Sequence, residues 1–464
     1  MSRRALTILF CMFVSCPAWA NTYYLAPAAA GGSDSNNGLS TSAPWLTPNH
    51  AVNCGDVITA AASASYSNGN FTSGKWGTVA CSAGNNVAWL KCATFDACKS
   101  SGSGVGFFID SSYWGVQGFE VTQTGDTSCF LVADNTGAAT VHHVVFANDI
   151  ASGCSQTGFG STSGKGQSTD YIAFIGNIAY NSAQSANAVC GQGFSMYGPK
   201  ASDSSPGTHL YIAGNFAWDN VDNAACNGGH PSDGEGLELD TFSVNSYAQQ
   251  TVVENNMFLF NGGRGIQALL VNTGHVYVKN NTLYGNNTDV NQGGYCGEFA
   301  DNGSTGTITL TGNLTETTAA TGCNGSNLYD YLFSVTTSAT ITSGWGYVAA
   351  GNNYCTAFNQ STFNCSGLPQ NRANPNLASP SRPGAPSCGS ASNVPNCMAT
   401  VIADFTPTNP SAISYGYQIP SATASNPLFP QWLCNVNLPV GLVTTGCNPG
   451  ARPAPPVILS LSIL

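Results

Sequence analysis

From about residue 140 to residue 350 the chain repeats one pattern of apolar and polar positions. An alternating apolar run leads to a Gly or Asn, then an Asn, a short apolar triplet and a polar, Gly-rich break. It reads VVFAND at Asn148, FIGNIAYN at Asn177, YIAGNFAWDN at Asn215 and VVENNMFLFN at Asn256, then VYVKNNTLYGN at Asn281, LTGNLTE at Asn313 and AAGNNYC at Asn352. The intervals are 29, 38, 41, 25, 32 and 39 residues. Alternation with period two in 252–260 and 276–283 predicts strands rather than helices. Self-similarity at 20–50 residues predicts a solenoid, each repeat forming one coil with apolar side chains stacked inside and asparagines stacked at a turn. A β-propeller would repeat at about 40–45 residues, which the 25-residue interval does not fit.

If 25 residues make the bare coil, the coils ending at Asn215 and Asn256 carry 13 and 16 extra residues. Insertions in a solenoid become loops, often on the binding face. Here they would gather Lys200, His209, Asp219, Asp222 and His230 near an acidic run. A plainer reading is that loops tied by Cys190 and Cys226 only protect coil edges.

Composition narrows the class. Charged residues make up 8 % and hydrophobic ones 42 % of 464 residues, with 53 glycines. That is too apolar for disorder, and without helical heptads it predicts an all-β chain. The opening MSRRALTILFCMFVSCPAWA has an Arg-Arg start, an apolar centre and a small-x-small end, the pattern of a signal peptide cut after Ala20. It predicts a secreted or periplasmic protein. Of eighteen cysteines, loss of Cys11 and Cys16 leaves sixteen. An even number in an exported chain predicts disulfides, and the absence of any CxxC argues against zinc. Loss of Arg3 and Arg4 takes the net charge from −11 to −13, which disfavours nucleic acid or anionic membranes as partners. No later run reaches the ~18 apolar residues of a membrane span.

The segment after residue 21 carries Tyr23-Tyr24-Leu25, Gly32-Ser33-Asp34, Asn37-Gly38, Pro44-Trp45 and Gly55-Asp56-Val57-Ile58. This resembles the N-terminal cap of exported right-handed parallel β-helix proteins of the pectate-lyase-like superfamily. DFTPTNPSAISYGYQIP at 404–420 is similar to the segment that closes many such helices. The resemblance implies a right-handed parallel β-helix: signal peptide 1–20, cap and first coils 21–100, repeats 101–354, and a Cys- and Pro-rich closing region with tail 355–464. Cys434 and Cys447 are expected to tie down the end.

The candidate site lies within 233–267. Asp233, Glu235, Glu238 and Asp240 fall within eight residues, followed by Arg264, the only arginine between Arg4 and Arg372. With Leu237 and Leu239 turned inward, Glu238 and Asp240 face outward together, about 6.6–7 Å apart along the strand. That spacing permits the ~6.5–9.5 Å separation of an inverting glycosidase pair. An offset of 29 sets Arg264 beside Glu235 and Gln267 beside Glu238, on rungs about 4.8 Å apart. An Arg264–Glu235 bridge could also be purely structural. Alternatively, Asp233, Glu235, Glu238 and Asp240 could bind Ca²⁺ through hard oxygens. The resemblance then implies β-elimination from a uronate, with Arg264, Lys200 or Lys279 as the base. Gln267, His230, Asp219 and Asp222 are candidate substrate contacts. No stretch matches a family motif closely enough to transfer its catalytic residues, and Gly274-His275 lacks the second Gly of polygalacturonase-type motifs. Of His142 and His143, opposite facing on a strand buries one. Trp114, Tyr180, Trp218 and Tyr284 could stack on sugars, and read more simply as core. The expected protein is a monomeric polysaccharide-cleaving β-helix without an organic cofactor, its rival a non-catalytic adhesion or carbohydrate-binding β-helix.

Overall fold

The computed structural model describes residues 20–447 except 82–86, 124, 126, 135–139, 164–167, 184–189, 223–232, 272–273, 290–295, 319–327, 334–337, 349–354, 358–372, 390, 422–424 and 440. The expected signal segment, His230, Asn352, Cys226 and the tail lie outside the described residues. The chain is a parallel β-helix. Each central coil supplies a long strand, a three-residue strand and a strand of a separate sheet. In one coil these are Thr208–Ala213, Phe216–Trp218 and Leu237–Asp240. Every named strand pairing is parallel, gathered in one 19-stranded and one 9-stranded sheet plus a two-stranded pair. Crossovers between parallel strands are right-handed for steric reasons.

The Gly/Asn-then-Asn signature has a backbone cause. Asn148, Gly176, Gly214, Asn255, Asn280 and Gly312 turn the first corner with φ between 52° and 68°. Gly and Asn populate this left-handed region most readily. The residue that follows each corner stacks. Asn177, Asn215, Asn256, Asn281 and Asn313 form a buried ladder in which each Oδ1 accepts the preceding rung's backbone N–H, as from Asn215 to Asn256 at 2.9 Å. In the first repeat the ladder position is Asp149 rather than the expected Asn148. Asp149 donates its backbone N–H to Asn177 Oδ1 at 2.9 Å, while Asn148 forms the corner and accepts from Val394 N at 2.7 Å. A second ladder runs through Asn220, Asn261 and Asn286 and ends on the carboxylate of Glu298.

Inside, Phe107, Phe130, Phe159 and Phe194 stack with centroids 4.5–5.2 Å apart, and Leu237, Ile266 and Phe299 continue the row. The C-terminal region covers the outside of the large sheet. Phe429, Trp432, Leu433 and Leu442 pack on Val145, Tyr171, Ala173 and Tyr211, while Val394, Met398 and Phe405 pack on Ile178, Phe216, Trp218 and Leu259. Cys388–Cys397 and Cys434–Cys447 close this cover, and Cys54–Cys81, Cys92–Cys98 and Cys129–Cys154 close earlier loops. Such disulfides persist in oxidising compartments. Among the described residues no helix is long and apolar enough to cross a membrane. Over the nine-stranded sheet lies a cleft lined by Asp233, Glu238, Asp240 and Arg264.

Candidate functional site

Three consecutive coils enter the open sheet through one seven-residue pattern: Gly191-Gln192-Gly193-Phe194-Ser195-Met196-Tyr197, Gly234-Glu235-Gly236-Leu237-Glu238-Leu239-Asp240 and Gly263-Arg264-Gly265-Ile266-Gln267-Ala268-Leu269. Phe194, Leu237 and Ile266 are register partners pointing inward. The outward columns are therefore Ser195–Glu238–Gln267 and Tyr197–Asp240–Leu269, while Gln192, Glu235 and Arg264 stand in line just before the three strands. The glycines are demanded by close approach. A Cβ on Gly236 would lie 2.6 Å from Gly265 O, and one on Gly263 would lie 2.8 Å from the Glu235 carboxyl.

The two columns floor a cleft of about 780 Å³ whose lining also includes Asp233, Arg264 and Gln192. Glu238 sits between two amides: Gln192 Nε2 donates to Oε2 and Gln267 Nε2 to Oε1, each at 2.7 Å. Gln192 Nε2 also reaches Asp233 Oδ2 at 3.1 Å. The Arg264 guanidinium donates to Gln267 Oε1 at 2.7 Å and lies 3.5 Å from Glu235 Oε1. The predicted offset of 29 is thus the register of the sheet. Glu235 is fully buried, and its Oε2 has no hydrogen-bond partner among the described residues, nor has Asp240 Oδ1.

Burial pushes the Glu235 carboxyl well above its ordinary range, and the charges of Asp233 and Asp222 add to this against the opposing pull of Arg264. Burial likewise raises Glu238 well above its range, followed by the charges of Glu235, Asp233 and Asp240. Asp240 rises to about 7, first through burial and then through Asp233. Carboxyl groups so crowded must hold protons or share a cation. One oxygen each from Asp233, Glu235 and Glu238 lie within 4.8 Å of one another. Asp222 places an oxygen equally close to Asp233, beside Cys190, whose sulfur is committed to a disulfide.

The remaining candidates lie elsewhere. Asp219 turns the second corner at φ 54° and pairs with Arg382 at 3.1 Å. An aspartate tolerates the left-handed conformation, and that accounts for its presence there. Lys279 stands on the large sheet, 4.0 Å from Glu254. Lys200 is exposed and does not line the cleft. His209 is buried between Asp170 Oδ1 and Ser205 O, both at 3.0 Å. His143 is buried between the rings of Tyr113 and Tyr171, with His142 half-buried beside it. Trp114 and Trp218 are core. Gln192, Ser195 and Tyr197 escape a search for charge clusters. The signal that finds them is the Gly-x-Gly pattern, which places Gln192 above Glu235 and Tyr197 above Asp240.

No family model and no curated protein matches the sequence. Solved structures align with it at low identity. Pectate lyase Pel9A is 19 % identical with a TM-score of 0.49, over 77 % of this chain and 83 % of that one. A rhamnogalacturonan lyase is 15 % identical with a TM-score of 0.40, over 76 % and 87 %. The A-module of the Azotobacter vinelandii mannuronan C-5 epimerase AlgE6 is 12 % identical with a TM-score of 0.34, over 69 % and 88 %.

Proposed function

We propose that this β-helix cleaves a uronate-containing polysaccharide by calcium-assisted β-elimination in the cleft floored by Glu238, Asp240 and Gln267. The observation that carries this reading is the trio of buried carboxylates, Asp233, Glu235 and Glu238, with oxygens mutually within 4.8 Å. Oxygens that bind one Ca²⁺ at about 2.3–2.6 Å cannot be more than about 5 Å apart, so the donor set fits, and Asp222 extends it. Glu235 Oε2, buried and unbonded among the described residues, is the kind of atom a cation would satisfy. A bound calcium would neutralise the substrate carboxylate and acidify the adjacent C–H.

The chain's own groups supply the rest. Arg264 is the basic side chain among the described cleft residues. Anchored on Gln267, it attracts the substrate carboxylate into a strongly acidic cleft and opposes the charge that develops on it. Asp240, with a carboxyl near 7, accepts the C5 proton at a pH where a carboxylate is ordinarily too weak a base. The C5 electron pair becomes the C4–C5 double bond, the C4–O bond breaks, and the departing oxygen takes a proton from solvent. One observation favours a second reading. Glu238 and Asp240 share a face, and Glu238 is held protonated well above the ordinary range. That pairing also suits inverting hydrolysis, with Glu238 as acid and Asp240 activating water.

The test incubates purified protein with uronate and neutral polysaccharides, with calcium or with chelator. Ultraviolet absorbance of unsaturated ends and new reducing ends are both followed. Calcium-dependent absorbance supports elimination. Reducing ends without absorbance support hydrolysis. Binding without cleavage across the panel would overturn both in favour of a carbohydrate-binding module.

A further inference from the structure

We propose that Tyr197 is the platform on which the sugar next to the reacting one stacks, on the side of the cleft nearer the N-terminus. This rests on the reading that the cleft receives a polysaccharide. Tyr197 is the exception among the described aromatic side chains. It is 42 % exposed, whereas Tyr211, Tyr247 and Tyr331 are fully buried. It lines the cleft and makes no ring contact with another described aromatic residue. Its register partners are Thr162 on one rung and Asp240 on the other. Rungs lie about 4.8 Å apart, close to the advance of one sugar along a chain, so a glycan running parallel to the helix axis and seated at Asp240 sets its next ring over Tyr197.

The surroundings leave that ring accessible and hold its backbone. On the column beside it stand Gly160 and Ser195, too small to cover it. The residue that follows is pinned from the neighbouring coil: Asn245 Nδ2 donates to Gly198 O at 2.7 Å and to Ser163 Oγ at 3.1 Å. An aromatic face held in place beside polar floor groups is how carbohydrate sites combine apolar contact with oriented hydrogen bonds. Its ring takes no part in an aromatic stack among the described residues and leaves a large part of its face to the cleft. A bound sugar accounts for it.

The experiment compares wild type, Tyr197→Ala and Tyr197→Phe by native electrophoresis through gels containing the test polysaccharides, and by KM and kcat wherever cleavage is seen. Tyr197→Ala should weaken retardation and raise KM about tenfold. kcat should stay within about twofold, and the melting temperature unchanged. Tyr197→Phe should behave as wild type, because the ring face acts and not the hydroxyl. Unaltered binding by Tyr197→Ala, or equal losses in both variants, would overturn the proposal. Retardation that depends on Tyr197 without any cleavage would sustain the platform while refuting the catalytic reading. Wild-type protein that neither binds nor cleaves any of the polysaccharides would refute both.

Discussion

Removing calcium and replacing Glu235 by Gln should have opposite effects on stability, and the size of each follows from the buried carboxyls. A carboxyl raised above its unfolded value contributes stability that is complete below that unfolded value and disappears as pH rises through the folded one. For Asp240 the window runs from 3.8 to about 7, and the loss at pH 8 is roughly 4 kcal/mol. Glu235 and Glu238 are displaced in the same direction, so in chelator the protein should melt progressively lower between pH 5 and pH 8. Calcium at about a hundred times its Kd returns about 2.7 kcal/mol, which for a chain of this length raises Tm by roughly 3 °C. The rise should be large at pH 8 and small at pH 5, where protons compete for the same oxygens. Glu235→Gln removes one buried charge facing Asp233, so it should raise Tm in chelator at pH 8 and abolish the calcium increment. Scanning calorimetry of both proteins at pH 5, 6.5 and 8, with calcium and with chelator, measures all of this. A calcium increment that is absent, or equal in wild type and Glu235→Gln, would refute the shared-cation argument. So would a Glu235→Gln protein that melts lower than wild type in chelator.

Other expected outcomes are narrower. Asp240→Asn should lower kcat by about 10²–10⁴ while leaving KM and calcium binding nearly unchanged; an equal loss of calcium affinity would make Asp240 a ligand instead of a base. Gly263→Ala forces a methyl to within 2.8 Å of the Glu235 carboxyl and should weaken calcium binding, seen by calorimetric titration, more than it lowers Tm. Asn256→Ala deletes two bonds accepted from Asn215 and two donated, to Ile212 O and Asn281 Oδ1. It strands buried partners and should cost about 3–5 kcal/mol in urea unfolding; a cost under about 1 kcal/mol would show that the ladder relaxes around the gap.

The coils, their parallel stacking and the Asn ladder were legible in the chain because each rests on local chemistry repeated in register. Period-two apolar runs need a pleated strand. A Gly or Asn at a corner needs a left-handed φ, and an Asn after it reaches the next rung. The same logic placed Arg264 beside Glu235 and Gln267 beside Glu238, since an offset between aligned coils is a contact. It misplaced the first ladder position by one, because VVFAND offers Asn148 as the asparagine while the corner uses it and gives the ladder to Asp149. Asp219, Lys200 and Lys279 are near the acidic run in sequence yet serve a corner, the surface and another sheet. Proximity along a solenoid says little about which of its faces a side chain occupies.

What the sequence alone determined is the rung: its period, its inward and outward positions, and the partner above and below each residue. Which outward face would be open was decided only in three dimensions. Val394, Met398, Phe405, Phe429, Trp432 and Leu442 come from the far end of the chain and bury the outer surface of the large sheet, while among the described residues no C-terminal one lines the cleft over the nine-stranded sheet. Contacts across some 200 residues obey no period and leave no local signature. Burial, which only the folded chain supplies, is also the largest cause of the raised carboxyls of Glu235, Glu238 and Asp240.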